Sequence, residues 1–156
     1  MKMSVKKAFE EIITDVLKGD TQKNALNFAA FLNENEMVTG GEHGQVSYKG
    51  TSIAYIHIDG KSEKPGPWTI WPDGDFSSVP NGFVFDEPMK EIAWKNVNTC
   101  ANCGCESAPG SRKTIFGKEF DNVCNAVMAF TDPTSETLEC VKKLLEMCKN
   151  ANKSSV

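Results

Sequence analysis

Three of the six cysteines in this 156-residue sequence fall within six positions, Cys100-Ala101-Asn102-Cys103-Gly104-Cys105. A fourth, Cys124, follows after 18 intervening residues. Two cysteines separated by two residues and followed by glycine suit a metal-binding knuckle: the thiolates approach one ion while a residue without Cβ lets the backbone turn beneath it. Thiolates are soft, charged donors that favour zinc, and four of them close a tetrahedral structural site. The predicted ligands are Cys100, Cys103, Cys105 and Cys124, and the predicted cofactor is zinc. Cys124 stands without a second knuckle partner, so Cys105 must complete the set, and Cys103-x-Cys105 is a tighter bite than Cys-x2-Cys. A zinc ion held this way would tie two distant stretches of chain together across a Gly- and Pro-containing segment. Arg112 and Lys113, lying between the ligand groups, can offset the negative charge of a four-thiolate centre or hold an anionic ligand.

Other chemistry is compatible with the same residues. Cys100 and Cys103 have the spacing of a redox dithiol, although the strand-to-helix setting of a thioredoxin-like site is absent. Four cysteines also suffice for an iron–sulfur cluster, but no common ferredoxin spacing is present. Free thiols in a reducing compartment, with Cys124 in the core, are the plainest alternative. Cys140 and Cys148 are eight residues apart in a helical pattern and read as packing residues. The segment 100–124 is similar to small zinc-stabilised domains in general, a likeness that brings no activity with it.

A second set of candidates lies in an extended segment. Alternation over Ser52–Asp59 places Ala54, Ile56 and Ile58 on one face and Ile53, Tyr55, His57 and Asp59 on the other. In the next strand, Trp68 and Ile70 share one side, and Thr69 and Trp71 the other. Paired strands would bring a tryptophan near Tyr55 and His57, forming an amphipathic surface with a titratable group. Tyr55, His57, Asp59, Trp68 and Trp71 are therefore the candidate ligand-binding residues; an exposed sheet face with ordinary aromatic packing is the competing reading. His43 reads as a loop histidine.

Elements must position these groups. Val5, Phe9, Ile12, Ile13 and Val16 recur with helical period, with Ser4 available to cap the start and Gly19 to end it. Ala25, Phe28, Ala29 and Leu32 mark a second helix starting at Asp20 or Thr21, and Thr39-Gly40-Gly41 breaks the pattern. From Gln45 the period becomes 2, with strands predicted around Val46–Tyr48, Ser52–Asp59 and Trp68–Trp71, and a short one at Phe83–Phe85. Asp86 is placed to cap a helix carrying Met89, Ile92 and Ala93. Lys113–Phe116 reads as extended, and Asp121 as the cap of another helix, with Cys124 in its first turn where the helix dipole favours a thiolate. Asp132-Pro133 opens a last helix with Leu138, Val141, Leu144, Leu145 and Cys148 on one face.

The expected fold is α+β: a small antiparallel sheet flanked by N-terminal and C-terminal helices, with a Cys-rich loop. One domain spans residues 1–150, with the metal-binding loop at 100–124, and residues 151–156 read as a disordered polar tail. Residues 34–93 hold 10 acidic and 4 basic side chains against a total net charge of −4. Such a surface disfavours nucleic acid, which is bound chiefly through Lys and Arg. No membrane span or export signal is apparent, so a cytoplasmic protein is expected. There is no Gly-x-Ser-x-Gly elbow, phosphate-binding loop or His-Glu-x-x-His pair, and catalysis has no motif behind it. The expected function is a small ligand-binding, protein-binding or regulatory module with structural zinc, able to form a homodimer through its terminal helix. A thiol redox enzyme or sensor using Cys100 and Cys103 is the alternative, and an iron–sulfur electron carrier a more distant one.

Overall fold

The computed structural model describes residues 3–40, 44–58, 68–74, 76–80, 82–99 and 110–154; for 3–8, 40, 124–126 and 151–154 the description covers the backbone only. Among the described residues there are four helices: α1 (Met3–Val16), α2 (Gly19–Glu34), α3 (Glu87–Lys95) and α4 (Ser135–Ser154). Eight strands accompany them: β1 (Val38–Gly40), β2 (Gln45–Tyr48), β3 (Thr51–Ile58), β4 (Trp68–Pro72), β5 (Val97–Thr99), β6 (Ser111–Ile115), β7 (Lys118–Met128) and β8 (Phe130–Thr131). The strands form two antiparallel sheets, of order β1-β2-β3-β4-β8 and β5-β7-β6. The α+β class is as the sequence predicts.

Helices α1, α2 and α4 cover one face of the five-stranded sheet, and α3 packs against α4. The helices bury the apolar stripes set by their 3.6-residue period: Phe9 and Ile13, continued by Leu17 just past the end of α1; Ala25, Phe28 and Leu32; Leu138, Val141, Leu144 and Leu145. The sheet answers with Val46, Ala54, Ile56, Ile70 and Phe130, all buried. Tyr48 and Thr51 flank the two-residue turn Lys49-Gly50, whose positive φ angles of 51° and 84° match the twist of a hairpin. Asp86 caps α3 as expected, accepting a hydrogen bond from the Met89 amide at 3.2 Å. The cap of α4 is Thr134 rather than Asp132, its hydroxyl accepting from the Thr137 amide. Helix α4 continues to Ser154, into the segment that the sequence presents as a polar tail.

Three further expectations are corrected. Phe83–Phe85 is not a strand. Ile53 is buried rather than sharing the exposed side of Tyr55, because β3 spends two residues where β2 spends one between Val46 and Ser47, and this bulge turns Ile53 inward. Most consequentially, the helix expected from Asp121 is the long strand β7, paired on one side with β5 and on the other with β6. Between the pairs Thr99↔Val123 and Val97↔Met128, β5 advances two residues and β7 five. Three extra residues of β7 therefore bulge out of the ladder. That bulge lets Val123, Val127 and Met128 all be buried, reproducing in a strand the spacing that a helix would show.

Candidate functional site

Residues 100–109, which carry Cys100, Cys103 and Cys105, lie outside the described residues, as does Asp59. What the structure defines is the frame that holds them. Strand β5 ends at Thr99, β6 begins at Ser111, and both residues pair with the same residue of β7, Val123. The cysteine-bearing segment thus leaves from one side of β7 and returns on the other. Cys124 is the next residue of β7, at the start of the bulged stretch. Its place in a strand removes the helix-dipole argument for its thiolate. Bulges interrupt a ladder and redirect the side chains they contain.

The return of the chain is tightly held. The Gly110 amide donates to the Asn122 side-chain Oδ1 at 3.0 Å. A Cβ on Gly110 would stand 2.4 Å from the Asn122 carbonyl carbon and 2.6 Å from the Val123 oxygen, so glycine alone permits this approach. Asn122 has φ of 61°, a left-handed conformation that asparagine adopts more readily than most residues. Sequence reasoning passed over both residues; an Asn beside a Cys-rich segment is a weak signal, because its partner is set by strand pairing. Arg112, expected as a counter-charge for the centre, is committed across the hairpin: its Nε lies 2.8 Å from Asp121 and its Nη1 4.0 Å from Glu119.

The two remaining cysteines are structural. Cys140 and Cys148 are buried on α4, their thiols near the Met89 and Asp73 carbonyl oxygens at 3.6 Å. Burial pushes the Cys140 thiol from the ordinary 9.0 up to about 12. Cys148 rises to about 12 as well, by burial first and then the nearby Asp73 charge, opposed by a backbone hydrogen bond. Thiols held protonated in this way are poor nucleophiles and poor ligands. Among the described residues, no group of three or more His, Cys, Asp or Glu side chains is placed to hold a metal ion.

On the five-stranded sheet, Tyr55 pairs with Trp71 and His57 with Thr69. Gln45 flanks Tyr55 on its other side, and the Thr69 hydroxyl lies 3.2 Å from that of Thr131. This face is turned away from the helices: Tyr55 is 43% exposed, His57 is exposed and Trp71 half-buried. Trp68 does not join them. It lies on the opposite face, fully buried, its ring 6.0 Å from that of Phe28. A groove of about 390 Å³ lies elsewhere, between α2 and α4, lined by Lys23, Asn24, Asn27, Ser135, Leu138 and Glu139.

No family model, curated protein or solved structure matches the chain. No helix among the described residues is long and apolar enough to cross a membrane.

Proposed function

We propose that this chain is a small binding or regulatory domain in which Cys100, Cys103, Cys105 and Cys124 hold a structural zinc ion. The observation that carries the reading is the common register partner: Thr99, immediately before Cys100, and Ser111, just after the segment, both face Val123, immediately before Cys124. The two anchors are two strand spacings apart, ~10 Å, about a quarter of the reach of the eleven residues between them. Chain length is therefore ample for turns that hold an ion. Four thiolates would satisfy zinc's preference for soft tetrahedral ligation, and the ion would cross-link the segment to β7. The contribution of such an ion is on the order of 10 kcal/mol of apparent binding energy, comparable to the stability of a domain. The reading brings with it a reducing, cytoplasmic setting in which thiolates persist.

Partner recognition is assigned to the exposed sheet face. Tyr55 and Trp71 supply a cross-strand aromatic pair, while His57, Thr69 and Gln45 supply polar groups around it. The partner is a small molecule or a protein; the acidic middle of the chain argues against nucleic acid.

Elemental analysis of native protein purified without chelator tests the metal, with Cys124→Ser as the control. One equivalent of zinc per chain is expected, falling substantially in the variant. Less than about a quarter of an equivalent in the native protein would overturn the zinc reading. A reversible Cys100–Cys103 disulfide in that zinc-free protein would point to the thiol redox alternative, and iron with visible colour after anaerobic purification to a cluster.

A further inference from the structure

We infer that the open face of the five-stranded sheet recognises a neutral saccharide. The inference rests on the assignment of partner recognition to that face and is independent of the metal. Strand pairing sets six side chains there in two rows: Gln45, Tyr55 and Trp71 in one, His57, Thr69 and Thr131 in the next. Each row crosses three strands, ~10 Å, and the rows stand ~7 Å apart along them. The first row carries two aromatic side chains on adjacent strands; the second carries two hydroxyls 3.2 Å apart beside an imidazole.

Charge decides the occupant. Alternation along β1, β2, β3, β4 and β8 gives this face no Asp, Glu, Lys or Arg among the described residues, although such residues make up 24% of the chain. A phosphate or carboxylate ligand would go without a cation there, and an ammonium ligand without a carboxylate. The groups that are present, an amide, hydroxyls and an imidazole, can each donate and accept, as a sugar hydroxyl does. Sugar rings also present C–H faces that pack on aromatic rings, and Tyr55 and Trp71 supply those rings. A row of ~10 Å suits a disaccharide unit lying across the strands. A second copy of the chain fits less well, because stable homodimer interfaces are large and predominantly apolar. Among the described residues, the large apolar side chains exposed on this face are Tyr55 and, at its edge, Val38.

The test uses the full chain, isotope-labelled and purified without chelator. It is titrated with cellotetraose, maltotetraose and chitotetraose, and separately with para-cresol, an amphipathic ring without a sugar. The magnetic-resonance signals of Tyr55, His57, Thr69 and Trp71 are followed. At least one tetrasaccharide is expected to shift them with a Kd of about 1 mM or below. Tyr55→Ala should weaken that binding about tenfold, and Thr131→Val, which removes an exposed hydroxyl, about threefold. Tyr55→Phe, which keeps the ring, should stay within about twofold of the parent. Saccharide binding indifferent to Tyr55→Ala would overturn the inference, and shifts confined to other parts of the chain would overturn the face assignment as well. If para-cresol moves these signals and no tetrasaccharide does, the saccharide class fails while the face assignment stands. If neither probe moves them, both fail.

Discussion

Phe116 shows how a single side chain settles a conflict between backbone and packing. It occupies the first position of the two-residue turn joining β6 to β7, at φ 48°, followed by Gly117 at 86°. A bulky residue in the left-handed region costs about 1–2 kcal/mol. The ring is nonetheless buried, 4.7 Å from Phe85 and 6.0 Å from Phe76 between centroids, and its amide donates to the Phe76 carbonyl at 2.8 Å. Truncating a buried phenylalanine costs roughly 3–5 kcal/mol, so packing outweighs strain. Phe116→Asn, which fits the turn better, is expected to lower stability by about 2 kcal/mol net. A shift of the urea midpoint to lower concentration checks this; a stabilised variant would show that the strain dominates.

Helices were the more legible elements. The stripes of α1, α2 and α4 and the Asp86 cap are local properties, written within a few residues of where they act. Asp86→Ala is accordingly expected to lose about 1 kcal/mol, measured as a lowered midpoint of thermal or urea unfolding, since it leaves the Met89 amide without its acceptor. Strand β7 was not legible. Its buried residues Val123, Val127 and Met128 have helical spacing because three additional residues bulge between two ladder pairs, and a bulge is imposed by partners distant in sequence. The same distance effect hid Asn122 and Gly110. By contrast, simple alternation in β3 and β4 was enough to expect a tryptophan near Tyr55 and His57, and the regular register between the strands makes it Trp71, paired with Tyr55. Trp68 was separable from that face by parity alone, and the structure places it in the core.

The assembled fold makes a prediction about pH. Cys140 and Cys148 hold their protons to about pH 12 when folded, against an ordinary value of 9.0. Their folded pKa values are raised, so the stability that protonated burial provides is complete below pH 9 and declines as pH rises toward 12, where unfolding frees the thiolates. Unfolding midpoints should therefore fall across that window, and replacing both residues with Ala should flatten the fall while lowering stability at neutral pH through lost packing. An alkaline decline of the same steepness in the double variant would locate the titrating groups elsewhere.

Strand β8 and helix α4 are the final elements in chain order, yet they complete the first sheet: Thr131 pairs with Thr69, Phe130 with Ile70, and α4 packs on β3 and β4. A nascent polypeptide emerging from the ribosome would hold β1 to β4 with one flank open until Phe130 and the first turns of α4 had been made. Translation must run far ahead of consolidation here, and a message truncated after α3 would yield a product whose β4 edge, at Thr69 and Ile70, lacks its strand partner, suited to chaperone capture rather than to independent folding.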